Sequence, residues 1–192
     1  MMKSIILENE RVRLSPLTLK NYTNLLPVAK EDKLVQYSPS DIESPAALKT
    51  YVEIALDQQE KKSSIPFIIY DKKAMAFAGS TRYMNMDYTN KVLEIGSTWI
   101  GKKFQGTGLN SEMKHLLLSY AFDVLGFEKV AFRIDERNLQ SRKAVEKVGA
   151  VLEGILRKNV YLLDGYKRNT CCYGILANEW KQFLLSEKKI KV

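Results

Sequence analysis

Gln105-Gly106-Thr107-Gly108-Leu109-Asn110 is the stretch that decides the fold. Before it, Val92-Leu93-Glu94-Ile95-Gly96-Ser97-Thr98-Trp99-Ile100 is rich in branched and aromatic residues and reads as a strand. After it, residues 111–125 read as an amphipathic helix. A small-residue turn between a strand and a helix start is a ready anion site. The first helical N–H groups lack intrahelical partners, and the helix dipole is positive there. Glycine lets the backbone come close to a ligand, because no Cβ intervenes. The same turn can also be a plain structural joint, so the residues around it have to decide.

Two familiar phosphate loops fit poorly. Gly101 and Gly106 have the glycine spacing of a Walker A loop, but Thr107 stands where its lysine should be. A dinucleotide fingerprint needs a third glycine where Ser111 stands, and it opens the first βαβ unit rather than lying past mid-chain. The pattern that does fit is Gln/Arg-x-x-Gly-x-Gly/Ala. In that pattern the stretch resembles the pyrophosphate loop of the GNAT acyltransferases, which bind acetyl-coenzyme A. Asn110 departs from it, standing where a small residue is usual.

The chain has 192 residues, enough for one domain with a full core. Its 45% apolar and 27% charged residues are ordinary for a globular protein. No run reaches the apolar length of a membrane-spanning helix, and the start has an apolar run too short for a signal peptide. The default location is therefore the cytoplasm. The net charge of +8 is spread along the chain, with its densest run at Lys188-Lys189-Ile190-Lys191, which reads as a frayed tail. No basic helix or RNA-binding signature accompanies it, so neither nucleic acid nor membrane is an expected partner. Cys171 and Cys172 are adjacent, and strand neighbours point to opposite faces, so they read as strand residues rather than a bridge or a metal site.

Along the chain, residues 11–14 alternate as a first strand. Residues 18–30 read as a helix capped by Thr18. Ser44-Pro45 opens a stronger helix, with Leu48, Tyr51, Val52, Ile54 and Ala55 as its apolar side. These helices and the connector 31–43 would form a lid over an acceptor. Residues 65–70, 74–86 and 92–100 form an antiparallel meander. In the helix after the glycine loop, Leu109, Met113, Leu116, Leu117, Tyr120, Ala121 and Val124 share one face, and Gly126 ends it. A strand at 129–134, a helix at 140–148, strands at 150–161 and 167–176, and a short helix opening at Glu179-Trp180 complete the order. No repeat or linker interrupts it, so residues 1–192 read as a single domain.

If the strands before and after the glycine-loop helix pair in parallel, their C-terminal ends lie side by side. The glycine loop and the loop at Asn138 then face one crevice, the usual ligand site of open α/β sheets. Ser141 shares a helix face with Ala144, Val145 and Val148 and so points toward the sheet or a ligand. Taken alone, Asn138 could simply cap its helix and Ser141 sit in the first turn.

Glu94-Ile95-Gly96, Trp99, the glycine loop, Arg137-Asn138, Ser141-Arg142-Lys143-Ala144 and Glu146-Lys147-Val148-Gly149-Ala150 together resemble the GNAT superfamily. More narrowly, they are similar to the branch containing the ribosomal-protein alanine N-acetyltransferases. Leu14-Ser15-Pro16-Leu17, Glu153-Gly154, Arg157, Asp164-Gly165 and Trp180 extend the similarity over nearly the whole chain. The resemblance implies an α/β (or α+β) GNAT fold. Its sheet would be mixed, mostly antiparallel and of six to seven strands, with helices on both faces and a V-shaped gap between two central parallel strands. It implies acetyl-coenzyme A as cosubstrate, no metal, and direct attack by an amine. Ile100, Gln105, Gly106, Thr107, Gly108, Leu109, Asn110, Asn138 and Ser141 would hold the cofactor, with a backbone N–H near the bulged end of the strand before Ile100 polarising the thioester. The side chain of Asn110 would cap or steady its helix.

Amine acylation needs a neutral amine. A lysine near pKa 10.4 is neutral about one part in a few thousand at pH 7, and an α-amine near 8 about one part in ten. An α-amine therefore asks little of a base, and Glu94 is the candidate, working through water. Its alternative role is structural, as partner to Arg82 or Arg133. Many relatives protonate the departing thiolate with a tyrosine. None lies between Tyr120 and Tyr161, and Ser141 is the substitute. His115 falls off the apolar face and reads as a solvated surface residue. Competing readings are a non-catalytic acyl-coenzyme A binding module and, further off, a nucleotide-binding enzyme. The acceptor, a protein N-terminus or a small molecule, stays open, and so does a homodimer, since relatives often pair.

Overall fold

Eight strands form one sheet in the order β1-β2-β3-β4-β5-β6-β8-β7 in the computed structural model, which describes residues 5–190. The strands are β1 (Leu7–Glu8), β2 (Val12–Pro16), β3 (Ile65–Asp71), β4 (Ala76–Asp87), β5 (Val92–Ile100), β6 (Lys129–Asp135), β7 (Val151–Tyr161) and β8 (Lys167–Leu176). The helices are α1 (Leu26–Ala29), α2 (Pro45–Glu60), α3 (Leu109–Ser119), α4 (Leu139–Glu146) and α5 (Ala177–Ile190). Every neighbouring pair is antiparallel except β5 and β6, which run parallel on either side of α3. The expected mixed sheet is present. The strand beyond the expected six or seven is the short β1, whose Leu7 and Glu8 pair with Leu14 and Arg13.

Successive residues of a strand face opposite sides of the sheet. On β4, Tyr83 donates its hydroxyl to Leu117 O of α3 at 2.6 Å, while Arg82 stacks over Tyr51 of α2 and reaches Gln58 at 3.2 Å. Helices α2 and α3 therefore cover opposite faces.

Ser44 caps α2 as expected, accepting from Ala47 N at 3.1 Å ahead of Pro45. Leu48, Tyr51, Val52 and Ala55 are buried, but Ile54 is exposed, having turned off the inward stripe. The helix expected over residues 18–30 is broken. A 3₁₀ turn at Tyr22–Leu25 leads into the single turn of α1, where Pro27 has no N–H to continue a longer ladder.

Helix α3 ends in a wide π-type turn, Tyr120–Val124, closed by Leu125 N to Tyr120 O at 3.0 Å. The extra residue in this turn rotates the helix end. Phe122 becomes buried and Val124 exposed, which corrects the expected apolar face. Gly126, with φ 71°, stops the helix. His115 is not solvated. It is half-buried and packs its edge against Trp180 of α5, ring centres 5.1 Å apart, because α5 returns over α3.

Cys171 is buried and Cys172 half-buried, and both are free thiols. Residues 1–4, Lys191 and the side chains of the basic run before it lie outside the described residues. Among the described residues, no helix is long and apolar enough to cross a membrane.

Candidate active site

The site begins where β5 and β6 part. Residues 92–94 pair with 129–131, and no pairing continues beyond them. On its other edge β5 carries one extra residue against β4. Arg82 pairs with Gly96 and Ser80 with Trp99, so Thr81 alone faces both Ser97 and Thr98. Ser97 takes φ 47°, unusual for a residue with a side chain, and its carbonyl accepts from Tyr51 OH at 3.2 Å. The hydroxyls of Thr81 and Thr98 meet at 2.7 Å across the bulge. The splayed ends of β5 and β6 open into a crevice of about 560 Å³.

The glycine loop closes one end of the crevice. Gly106 and Gly108 have φ of 72° and 88°, and an added Cβ at either would meet nothing within 4 Å. Glycine is needed there for conformation rather than for space, since a left-handed L-residue costs about 1–2 kcal/mol. Among the described residues, no protein acceptor is found for the backbone N–H groups of residues 106–111. Gln105 donates its amide to Ile100 O at 2.8 Å, tying the loop to the end of β5. Thr107 turns its hydroxyl to Phe104 O at 2.7 Å and accepts from Arg11 at 3.1 Å, while Arg11 also pairs with buried Asp71 at 2.9 Å. The Leu109 side chain lies in the core. In Thr107 and Leu109, only the backbone is left for a ligand.

Asn110 does not cap α3, which was one of the two roles expected of it. The cap position is Gly108, and Asn110 lies inside the first turn, lining the crevice with its Oδ1 buried and unpartnered.

The other wall comes from β6 and α4. Asn138 caps α4, its Oδ1 accepting from Ser141 N at 3.1 Å. Ser141, Ala144 and Val145 line the crevice, as their shared helix face implied. Gln140, which sequence reading missed, donates to Gln105 Oε1 at 3.3 Å and joins the two loops across the mouth. Ile100, Gln105, Gly106, Asn110, Asn138 and Ser141 thus meet in one crevice.

Glu94 lies just behind the wall. Its carboxylate accepts from Asn85 at 2.9 Å and stands 3.5 Å from Arg133. A Cβ on Gly96 would sit 2.5 Å from Met84 Sδ and 3.3 Å from Glu94 Oε1. Gly96 and Met84, which line the crevice, are thus the neighbours of this carboxylate on that side. Burial raises its pKa above the ordinary carboxylate range, and Asn85, Arg133 and Arg168 offset part of that rise.

Three charged groups were not singled out from sequence. Lys114, on α3, is 5% exposed and lines the crevice, with its ammonium 5.7 Å from the centre of the Phe132 ring. Burial lowers its pKa to about 8. Arg168 of β8 donates to Tyr37 O at 2.8 Å, which anchors the connector between α1 and α2. Residues 33–40 of that connector line the far end of the crevice, where an acceptor lid was expected. Burial pushes Asp135 up in pKa, but its hydrogen bonds from Arg137 at 2.7 and 3.0 Å outweigh this and hold it low. Periodicity along the chain signals none of the three, because each faces the crevice only through the packing of separate elements.

A bulged strand splayed from its parallel neighbour, with a glycine turn and a helix start at its end, is the arrangement that the resemblance to the acetyltransferases implied. Residues 11–151 match the family described as the acetyltransferase (GNAT) domain, and the chain belongs to that family. It is 30% identical over 144 residues to YdaF of Bacillus subtilis (strain 168), a provisionally named ribosomal N-acetyltransferase, covering 72% of this chain and 76% of YdaF. It superposes with a TM-score of 0.84 on a GCN5-related N-acetyltransferase from Brucella melitensis, 27% identical, covering 94% of this chain and 82% of that one. The fold is shared with the microcin C7 self-immunity acetyltransferase MccE, solved with acetyl-CoA and AMP. That match has a TM-score of 0.76 and 21% identity over 88% of this chain and 93% of MccE.

Proposed function

We propose that this chain, acting as a single domain, moves an acetyl group from acetyl-coenzyme A directly to a primary amine, with a protein N-terminal α-amine favoured over a small-molecule amine. The observation that carries the reading is the continuity of the crevice, from the free N–H groups of the glycine loop to the bulge at Ser97 and Thr98. The acetyl-CoA held by the MccE fold and the similarity to YdaF support it.

Acetyl-coenzyme A supplies a thioester, an acyl group activated toward amines. The N–H groups of residues 106–111 hold its pyrophosphate, helped by the dipole of α3. Gln105, Ile100, Asn138 and Ser141 flank the arm. The backbone at the bulge, fixed by Tyr51, donates to the thioester carbonyl and stabilises the charge that develops there. Glu94 takes the amine proton through water, and a carboxylate suffices because an α-amine is already about one-tenth neutral at pH 7. The hydroxyl of Ser141 passes a proton to the departing sulfur and takes one in its place from solvent.

The decisive experiment follows release of free thiol from acetyl-coenzyme A with a panel of N-terminal peptides, polyamines, aminoglycosides and amino acids. Release with α-amine peptides is expected. Heat protection by coenzyme A without thiol release from any amine would instead favour the binding-module reading. Protection by ATP alone would favour the nucleotide enzyme. A ligand at a hundred times its dissociation constant adds about 2.7 kcal/mol, so protection is readily seen. Unchanged turnover of Ser141→Ala under saturating acetyl-coenzyme A would remove the acid role.

A further inference from the structure

The two faces of the sheet differ in what they offer at the crevice. Phe132 of β6 turns its ring toward Lys114 of α3, so its neighbour Arg133 projects to the opposite face. Glu94 projects there too. It pairs with Met84, two residues along β4 from the Arg82 that stacks over Tyr51 of α2. The glycine loop opens α3, which covers the other face. With the cofactor's phosphates at that loop, the α2 side, carrying Glu94 and Arg133, is left to the acceptor. The crevice as a whole is cationic. Five basic residues line it, Lys33, Lys102, Lys114, Arg133 and Arg168, against one acid, Asp135. Asp135 already accepts from Arg137 at 2.7 and 3.0 Å, and Arg168 already donates to Tyr37 O and Thr170 Oγ1. Arg133 differs from both. Its side chain is 51% exposed, and among the described residues its one carboxylate partner is Glu94, met through Nε at 3.5 Å. No hydrogen bond among the described residues uses its two terminal nitrogens.

A guanidinium with free N–H groups is suited to a carboxylate, which it grips through two parallel hydrogen bonds. We propose that the acceptor is a peptide N-terminus with an acidic side chain at its second or third residue, and that Arg133 pairs with that carboxylate. This rests on the acetyl-transfer reading above and adds the charge that selects among α-amines. The spacing fits. The amine lies within one water of Glu94, Arg133 stands 3.5 Å from that carboxylate, and an extended residue spans about 3.5 Å. The same lining disfavours polyamines and lysine-rich peptides, whose further charges would meet like charge.

The test measures kcat/KM by thiol release for pairs of peptides that differ only as Asp or Asn at position two, or as Glu or Gln at position three. The wild type is expected to favour the acid in at least one pair by about fivefold, the size of a partly exposed ion pair. Both members of a pair meet the same Glu94, so the ratio between them is insensitive to any change in the base. Arg133→Gln should bring the ratio close to one, and Arg133→Glu should take it below one. Arg133→Lys, which keeps the charge and loses the fork, should keep part of the preference. Raised ionic strength should shrink the wild-type ratio. A wild-type ratio near one in both pairs would overturn the proposal, and so would a preference that survives Arg133→Gln. Faster turnover of spermidine or of free glutamate than of the acidic peptides would overturn it too. Absence of thiol release from every amine would sink the acetyl-transfer reading itself, a separate failure.

Discussion

The hydroxyl of Tyr51, on α2, donates to the carbonyl of Ser97 at 3.2 Å, and Ser97 is the residue whose φ of 47° makes the bulge in β5. A helix packed on one face of the sheet thus holds the strained backbone that faces the crevice. Left-handed backbone at a non-glycine residue persists only where its surroundings enforce it.

Tyr51→Phe removes that hydrogen bond while keeping the ring against Trp99, whose centre is 6.2 Å away. A loss of about 1 kcal/mol in stability is expected. The larger effect should be on kcat, falling about tenfold as the bulge relaxes, with KM for acetyl-coenzyme A little changed. Steady-state kinetics and thermal unfolding of the one variant separate the two. An unchanged kcat would mean that the bulge holds itself.

Lys114→Met should stabilise the ligand-free protein at neutral pH. The ammonium's pKa falls from 10.5 to about 8 on burial, a cost of about 3 kcal/mol when the group is charged. Here the folded pKa is depressed, so the unfolded chain binds more protons between the two values, and wild-type stability rises with pH from about 8 to 10.5. The variant's advantage should be present at pH 7 and nearly gone at pH 10.5. Denaturant titrations at both pH values check it.

Glu94→Gln tests the base. Burial raises the Glu94 pKa, so the acid limb of kcat/KM in the wild type should lie above the ordinary carboxylate range, rising with pH as the carboxylate forms. The variant is expected to lose about a hundredfold in kcat and to lose that limb, keeping the one that belongs to the acceptor amine. A full pH–rate profile with an intact limb would leave Glu94 as the structural partner of Asn85 and Arg133.

Gly108→Ala places a side chain at φ 88° in open space. The fold should survive with a cost of about 1–2 kcal/mol. The N–H groups of the loop would be re-aimed, and KM for acetyl-coenzyme A should rise about tenfold while kcat at saturation holds. A variant with normal KM would show that the loop does not set cofactor affinity.

Much of this molecule could be read from neighbours along the chain. Ser44-Pro45 announced a capped helix, Gly106 and Gly108 a small-residue turn before a helix, and Asn138 the start of α4. The free N–H groups of the loop follow from the helix start alone. These are local properties, set by the few residues on either side, whereas the shared crevice of Ile100, Gln105, Asn138 and Ser141 depended on the parallel pairing of β5 and β6 and on the family resemblance. Pro27 was also visible, and its missing N–H explains why residues 18–30 do not form one helix. Other features arise only when distant segments meet. The bulge at Ser97 is a mismatch of count between β4 and β5, and neither strand carries it alone. Val124 faces outward because a π-type turn absorbs one residue at the end of α3. Lys114 looks like an ordinary polar helix residue until β6 lays Phe132 across it and closes off the solvent. Local hydrogen bonding and backbone sterics depend on adjacent residues, whereas desolvation and strand register depend on segments tens of residues apart. The glycine loop was accordingly legible in the chain, while the buried groups beside it were decided by the tertiary structure.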